Sequence, residues 1–230
     1  MKLAIIGYGK LGKAIGKAWE AAGGSITAKI SSSDSWDASR LDADIAVECT
    51  TPSSAIDNLS KCINAGLPVV TGTTGWLEDL HVIESLANEK KSCVFYATNF
   101  SIGVHLTNKI ASQMTKLLKS FEEYTPSIIE SHHIHKLDKP SGTAITLANV
   151  VKSASEIKNM EIDSIREGEI IGNHELNWDS NIDQISLKHH AKSRQGFAIG
   201  AVKSLVWLYE KNKNGDYGIF TMEHLIDTIS

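Results

Sequence analysis

Along the first hundred residues, short strand-like runs alternate with amphipathic stretches. Lys2–Ile6, Ser25–Ile30, Asp44–Cys49, Leu67–Thr71 and Cys93–Ala97 are the strand-like runs. Most of them are apolar on successive residues, as expected of strands buried on both faces. Between them, Ala14, Ala18, Trp19 and Ala22 fall at helical spacing over 13–22. A second helix is expected to reach Ala65, with Ser53 or Ser54 as its N-cap after Pro52, and a third to span Leu77–Asn88. Strands alternating with helices predict a parallel sheet with right-handed crossovers.

The rhythm then changes. Val104–Leu118 has helical periodicity, and strands are expected at Phe121–Ser131, Ile162–Ile171, Glu175–Trp178 and Ile182–His189. Gly168, Gly172 and Asn173 punctuate these runs, with Asn173 suited to a hairpin turn. Helices fit Thr143–Ser155 and Gly196–Lys211, and the tail adds a strand, Tyr217–Thr221, and a helix from Met222. Strands joined by short turns after a run of βα units predict a mostly antiparallel sheet in an α+β domain of its own.

Composition narrows the class. In 230 residues, 42% are hydrophobic and 22% charged, as in an ordinary globular protein, and the net charge of −4 offers nucleic acid or an anionic membrane no global attraction. The four apolar residues before Gly7 are too few for a signal-peptide core, and no run approaches a membrane span. Cys49, Cys62 and Cys93 match no zinc spacing and lie in apolar segments, so reduced, buried cysteines of a cytoplasmic protein are expected.

Two stretches carry chemistry. Gly7-Tyr8-Gly9-Lys10-Leu11-Gly12 follows a strand and opens a helix, the context in which GxGxxG points to a dinucleotide. The first glycine permits the turn, the second admits a pyrophosphate, and the third lets helix and strand pack closely. The second strand ends in Ser31-Ser32-Ser33 with Asp34 late, where an acid would select the ribose of NAD. NADH and NADPH therefore both stay open. Gly72-Thr73-Thr74-Gly75 and Thr98-Asn99-Phe100 end later strands, where open α/β sheets bind ligands, and are expected to line the cofactor.

The other stretch, Glu130 to Ala144, gathers three histidines, two lysines and two acids in fifteen residues before a helix start. Ser141 is a natural N-cap, and Gly142 and Thr143 offer backbone N–H groups to a carboxylate, with a helix dipole and cations nearby. A solvated loop of charged groups is one competing reading. A His-x-His metal site, completed by Asp138, His105, His189 or His190, is another, which the adjacent lysines disfavour.

The Glu130–Ala144 segment resembles the signature of the bacterial dihydrodipicolinate reductase family. The likeness extends through Gly7–Gly12, Gly72–Gly75, Thr98–Val104, Ile165–Gly168, Gly172–Glu175 and Arg194–Gly200, nearly the whole chain. It implies a cytoplasmic homotetramer that reduces a cyclic dicarboxylate with NADH or NADPH in lysine and diaminopimelate biosynthesis. It further implies a Rossmann-like domain over 1–103 and 195–230, and a substrate and tetramerisation domain over 104–194. Carried over by residue, His132 and Lys136 form the catalytic pair, with Lys136 as proton donor. His133, Ser141, Gly142 and Thr143 hold the substrate carboxylates, and Gly7–Gly12, Gly72–Thr74 and Thr98–Phe100 hold the cofactor, with no metal. A non-catalytic dinucleotide sensor of the same fold is the alternative, though a sensor has no need of an acid.

Overall fold

The computed structural model describes residues 1–229; the expected tail range 195–230 ends one residue beyond them, at Ser230. The chain forms β1 (Lys2–Ile6), α1 (Lys10–Ala21), β2 (Ser25–Ile30), β3 (Ile45–Glu48), α2 (Pro52–Asn64), β4 (Val69–Thr71), α3 (Leu80–Lys90) and β5 (Cys93–Tyr96). It continues through α4 (Ile102–Leu118), β6 (Thr125–His132), α5 (Gly142–Ala154), β7 (Glu161–Arg166), β8 (Asn173–Asp179) and β9 (Gln184–His190). It ends with α6 (Gln195–Lys213), β10 (Gly218–Phe220) and α7 (Met222–Ile229). Two compact units result: one joins Met1–Ile102 to the segment from Gln195 onward, and the other is Gly103–Arg194.

The first unit holds a six-stranded sheet in the order β10-β5-β4-β3-β1-β2, parallel throughout. Its strands are apolar on successive residues because both faces are covered. Leu3, Ile5, Val47, Val70 and Phe95 face Ile15 and Trp19 of α1 and Ala201, Leu205 and Leu208 of α6. Ala4, Ile6, Ala46, Val69 and Val94 face Leu59 and Ile63 of α2 and Ile83 and Ala87 of α3. Truncating the fully buried Leu59 to alanine would cost ~2–5 kcal/mol. Chain order reverses across β1, which has β2 on one side and β3 on the other. That switch point, at the carboxyl ends of the strands, is where such sheets bind ligands.

Three expectations in this unit change. α1 begins at Lys10 rather than Lys13, so the second half of the glycine turn is already helical. The cap of α2 is Thr51 rather than Ser53 or Ser54, with Pro52 taking the first helical position, where its missing N–H costs nothing. Leu77–Asp79 is a 3-10 turn leading into α3.

The second unit holds a mixed sheet, β7-β6-β8-β9, parallel between β6 and β7 and antiparallel elsewhere. Ala111 of α4 and Ala144, Leu147, Ala148 and Val151 of α5 pack with Ile128, Leu176 and Trp178 on one face of it. Register turns that face into rows. Ile162, Ile128, Leu176 and Leu187 lie side by side across the four strands. Two residues along β6, the row becomes Ser164, Glu130, His174 and His189, and beyond it His132 pairs with Arg166. An apolar floor thus gives way within one side-chain period to titratable groups.

β6 begins at Thr125 rather than Phe121, because 121–124 turns at the end of α4 through Phe121 N–H to Leu118 O and Tyr124 N–H to Phe121 O. β7 stops at Arg166, short of Ile171, where Gly168 takes a φ of 50°. The hairpin turn lies at Ser180–Asp183, closed by Ser180 N–H to Asp183 O at 3.0 Å, while Asn173 opens β8.

Candidate active site

In the first unit the glycine turn is shaped by close approach. Gly7 has a φ of 92°, and a Cβ there would lie 2.2 Å from Cys49 O; a Cβ at Gly12 would lie 2.2 Å from Gly7 O. Gly9 caps α1, and nothing lies within 4 Å of where its Cβ would stand. The backbone is thereby brought close at Gly7 and Gly12 and left open at Gly9, beside the N–H groups of Lys10 and Leu11 at the start of α1, as a pyrophosphate requires. Tyr8 packs under two ammonium groups, Lys29 Nζ at 4.9 Å and Lys13 Nζ at 5.8 Å from its ring centre.

The loops after β3 and β4 share one anchor, Glu48, which is 0% exposed. Its carboxylate accepts from Thr71 Oγ1 at 2.6 Å, from Thr50 N–H at 3.0 Å and from the Thr50 hydroxyl. Thr73 Oγ1 accepts from the same Thr50 N–H at 2.9 Å, and Thr73 O accepts from Trp76 Nε1 at 2.8 Å. The Thr73 hydroxyl is therefore committed to structure, and Thr74 is the exposed member of the pair. A Cβ at Gly72 would lie 2.9 Å from the Phe100 ring and 3.0 Å from Leu11, so three residues expected at the cofactor do meet. Phe100 also stacks on Phe95 in the core. Asn99 Oδ1 accepts from Ser101 N–H at 2.8 Å, while Thr98 is exposed.

In the second unit the centre is Glu130, also 0% exposed. Oε1 accepts from Arg166 at 2.8 Å and from Ser141 N–H at 3.2 Å, and Oε2 accepts from His132 Nδ1. Burial works against the charged carboxylate, but the Arg166 bond and those from its other neighbours, His132 among them, prevail and hold its pKa below the usual range. Burial lowers the pKa of His132 too, against the opposing pull of Glu130. A neutral His132 that donates through Nδ1 presents its lone pair at Nε2. Nε2 is the nitrogen near Gly172, where an added Cβ would stand 3.0 Å away.

Arg166 reaches further. It donates from Nε to Lys136 O at 3.3 Å and from a guanidinium N–H to Asp138 O at 2.6 Å, fixing the backbone that carries Lys136. The strand ends at His132, so His133 and His135 follow it in a turn closed by Lys136 N–H to His133 O, rather than alternating along a strand face. Lys136 Nζ is 2.8 Å from the Asp138 carboxylate, whose pKa Lys136 lowers most, with the Gly142 N–H contributing. A carboxylate thus already meets the ammonium and the amide expected to receive a substrate anion. Ser141 caps α5, its Oγ accepting from Ala144 N–H at 3.2 Å, and the amides of Gly142 and Thr143 open the helix. Arg194 donates to His133 Nε2 at 3.1 Å, which puts the His133 proton on the buried, unpartnered Nδ1.

His174 stands between Ser141 and His132. Ser141 Oγ accepts from Ala144 N–H and shares a hydrogen bond with His174 Nε2 at 3.1 Å, while His174 Nδ1 is buried without a partner. Burial drives its pKa down to about 4. Glu130, His132 and His174 bring ligand-type atoms within 4.8 Å of one another, a different set from the histidines and Asp138 weighed for a metal. Arg166 on the Glu130 carboxylate makes that set an ion pair rather than a cation pocket. Asp138 is paired with Lys136, and the His190 Nδ1 meets Asn173 Oδ1. The thiols of Cys49, Cys62 and Cys93 are pushed up to about 12, chiefly by burial, and are poor nucleophiles.

Sequence reasoning passed over Glu130, Arg166, His174 and Arg194 as site residues. A buried acid two places before His132 on a strand was the one local signal, since alternate residues share a face. No helix among the described residues is long and apolar enough to cross a membrane.

Comparison with known proteins identifies the chain's relatives. Residues 1–100 match the family described as dihydrodipicolinate reductase, N-terminus, and residues 103–226 match its C-terminus. The 4-hydroxy-tetrahydrodipicolinate reductase of Christiangramia forsetii is 34% identical over 241 aligned positions, covering 100% of this chain and 99% of the relative. That of Archaeoglobus fulgidus is 35% identical over 83% of this chain and 79% of its own. Among solved structures, dipicolinate-bound dihydrodipicolinate reductase from Paenisporosarcina sp. TG-14 shares the fold, with a TM-score of 0.79 over 96% of this chain and 97% of its own at 23% identity.

Proposed function

The chain belongs to the dihydrodipicolinate reductase family, and from that premise we propose how its residues divide the work. It is a nicotinamide-dependent 4-hydroxy-tetrahydrodipicolinate reductase of lysine biosynthesis. Gly7 to Gly12, Gly72, Thr74 and the Thr98–Phe100 loop hold the cofactor, with Thr73 shaping the loop from within. When bound, the cofactor supplies a hydride.

Hydride arriving on a ring conjugated to C=N leaves charge that one proton must neutralise. Lys136 Nζ donates that proton, and neutral His132 orients the exchange through Nε2. The substrate carboxylates displace Asp138 from Lys136 and settle against Gly142, Thr143, the Ser141 turn and the His133–Arg194 pair. One observation carries this reading: the buried Glu130 carboxylate meets His132 Nδ1 while its arginine partner bonds the backbone of the loop bearing Lys136.

We infer use of both NADH and NADPH, with NADPH favoured. The Asp34 carboxylate is occupied by Ser31 N–H at 2.7 Å, and Lys13 and Lys29 set two cations over the Tyr8 ring of the glycine turn. A cytoplasmic homotetramer completes the proposal; the exposed Ile165, with half-buried Ile129 on the same sheet face away from α4 and α5, offers apolar surface for assembly, which sedimentation would measure. The deciding assay follows NAD(P)H absorbance while the substrate is made in place by an aldolase-type synthase from pyruvate and aspartate semialdehyde. Oxidation that depends on the synthase supports the reading. Its absence with either cofactor overturns it.

A further inference from the structure

The proton-handling pair does not stand alone. His132 and Lys136 lie on different pieces of backbone, the end of β6 and the turn after it, and a shared hub has to set both. Glu130 is the atom-level meeting point. One carboxylate oxygen takes the His132 Nδ1 proton; the other takes Arg166 and the Ser141 amide. Arg166, with a side chain 13% exposed, spends its remaining donors on Lys136 O, Asp138 O and Ile165 O. Three functional pieces, the imidazole, the lysine loop and the N-cap of the anion-binding helix, therefore all run back to one buried carboxylate.

We propose that Glu130, locked by Arg166, is the positioning residue of the reaction: it fixes His132 as the Nδ1–H tautomer, so that Nε2 meets substrate as a lone pair, and aligns Lys136 through Arg166. Glu130 itself touches no substrate. The proposal rests on reading His132 and Lys136 as the proton-handling pair, and its tests separate from that reading.

The alternatives are a purely structural ion pair and a relay in which His132 carries the proton on Nε2. Register argues against the first. Glu130 pairs with His174 and His132 with Arg166 across β8 and β7, so a structural pair had only to bury its charges, not to spend one oxygen on an imidazole. Against the second, the contact at Nδ1 places the resting proton there, and burial, which lowers the His132 pKa, disfavours a second proton on Nε2 in the resting state. The charged and titratable groups facing His132 are Glu130 on its own strand, Arg166 of β7, His174 of β8 and Lys136 of the following turn. Only Glu130 favours the imidazolium among them, so its removal shifts the His132 titration to lower pH.

The test begins with the unaltered protein labelled with nitrogen-15 at histidine. Long-range nitrogen–proton correlation near pH 7.5 is expected to show His132, assigned by its loss in His132→Ala, protonated at Nδ1 alone. A signal protonated at Nε2, or an even mixture, overturns the proposal without any turnover measurement. Glu130→Gln is then expected to lower kcat on the order of 100-fold, less than the ~10⁴-fold known for losing a triad's orienting carboxylate. KM should stay within about threefold, and the acid limb of the kcat profile should move to lower pH. Glu130→Asp should restore part of kcat. Unchanged kcat, or a fall in kcat with an unmoved acid limb, overturns the proposal. If Glu130→Gln does not fold, the tautomer measurement decides alone. Full activity in His132→Ala would defeat the catalytic-pair reading while leaving the tautomer result standing.

Discussion

Each unit buries one glutamate completely, and the two are held in opposite ways. Glu48 is met by threonine hydroxyls and an amide. Glu130 is met by an arginine, an imidazole and an amide. Neutral donors can fix a loop but carry no protonation state. A cation and a titratable ring turn the same carboxylate into a device that selects a tautomer and responds to pH. The first carboxylate is thus held by neutral donors alone, and the second by charged and titratable ones.

The sharpest way to break this contrast is through turnover. Lys136→Ala in the second unit should lower kcat by about two to four orders of magnitude, the general-acid range. Thr74→Ala in the first should raise the cofactor KM with kcat within about threefold. Steady-state kinetics with both substrates varied would check the pair, and similar kcat losses would erase the distinction.

Stability should divide the glutamates next. Glu130→Ala leaves the Arg166 charge buried and unpaired, and should cost ~3–5 kcal/mol. Glu48→Gln leaves hydroxyls that can rotate to a new partner, and should cost about 1–2 kcal/mol. Urea unfolding of each variant measures the gap; equal losses would mean that cation and hydroxyl partners do the same job.

Acid should then act mainly on the second unit. Glu130, His132, His174 and His189 all have folded pKa values below their unfolded ones, so the folded state binds fewer protons and stability falls as pH falls. For His174 the loss begins near its ordinary value of 6.5 and levels off near the folded value of about 4. For Glu130 it begins in the ordinary carboxylate range and continues below it. Between pH 7 and pH 5, His174 should account for about 2 kcal/mol of lost stability. His174→Gln should flatten that dependence in urea titrations, and an unaltered slope would place the acid sensitivity elsewhere. The smallest effect expected is Thr143→Ala, which keeps the backbone N–H and removes only the side-chain hydroxyl: a three- to tenfold rise in substrate KM with kcat nearly unchanged, as for one lost ground-state hydrogen bond from that hydroxyl.

The same contrast governs what could be read from the chain. The glycine turn is local: Gly7, Gly9 and Gly12 lie within six residues, and the strand and helix around them are their immediate neighbours. His132, Lys136 and Ser141 are local as well, and they were legible as a density of charge before a helix. Arg166 and His174 reach Glu130 only through strand pairing, from 36 and 44 residues away. One sequence shows that a strand alternates; it does not show which residue of a distant strand lies opposite. The same gap misplaced the hairpin at Asn173, because the β8–β9 turn is set by Ser180 and Asp183 hydrogen bonding rather than by the most turn-prone residue nearby. Arg194 was hidden differently, as one more cation before α6 whose meaning came only from its contact with His133.

The rows across β7, β6, β8 and β9 carry a consequence for how this gene can change. Adding one codon directly after that for Ile128 would turn Glu130 and His132 toward the opposite face and bring Ile129 and Ser131 into the row that meets Arg166 and His174. Length variation among descendants of this sequence should therefore collect at the Ser155–Met160 connection and the Ser180–Asp183 turn, while β6 keeps its frame.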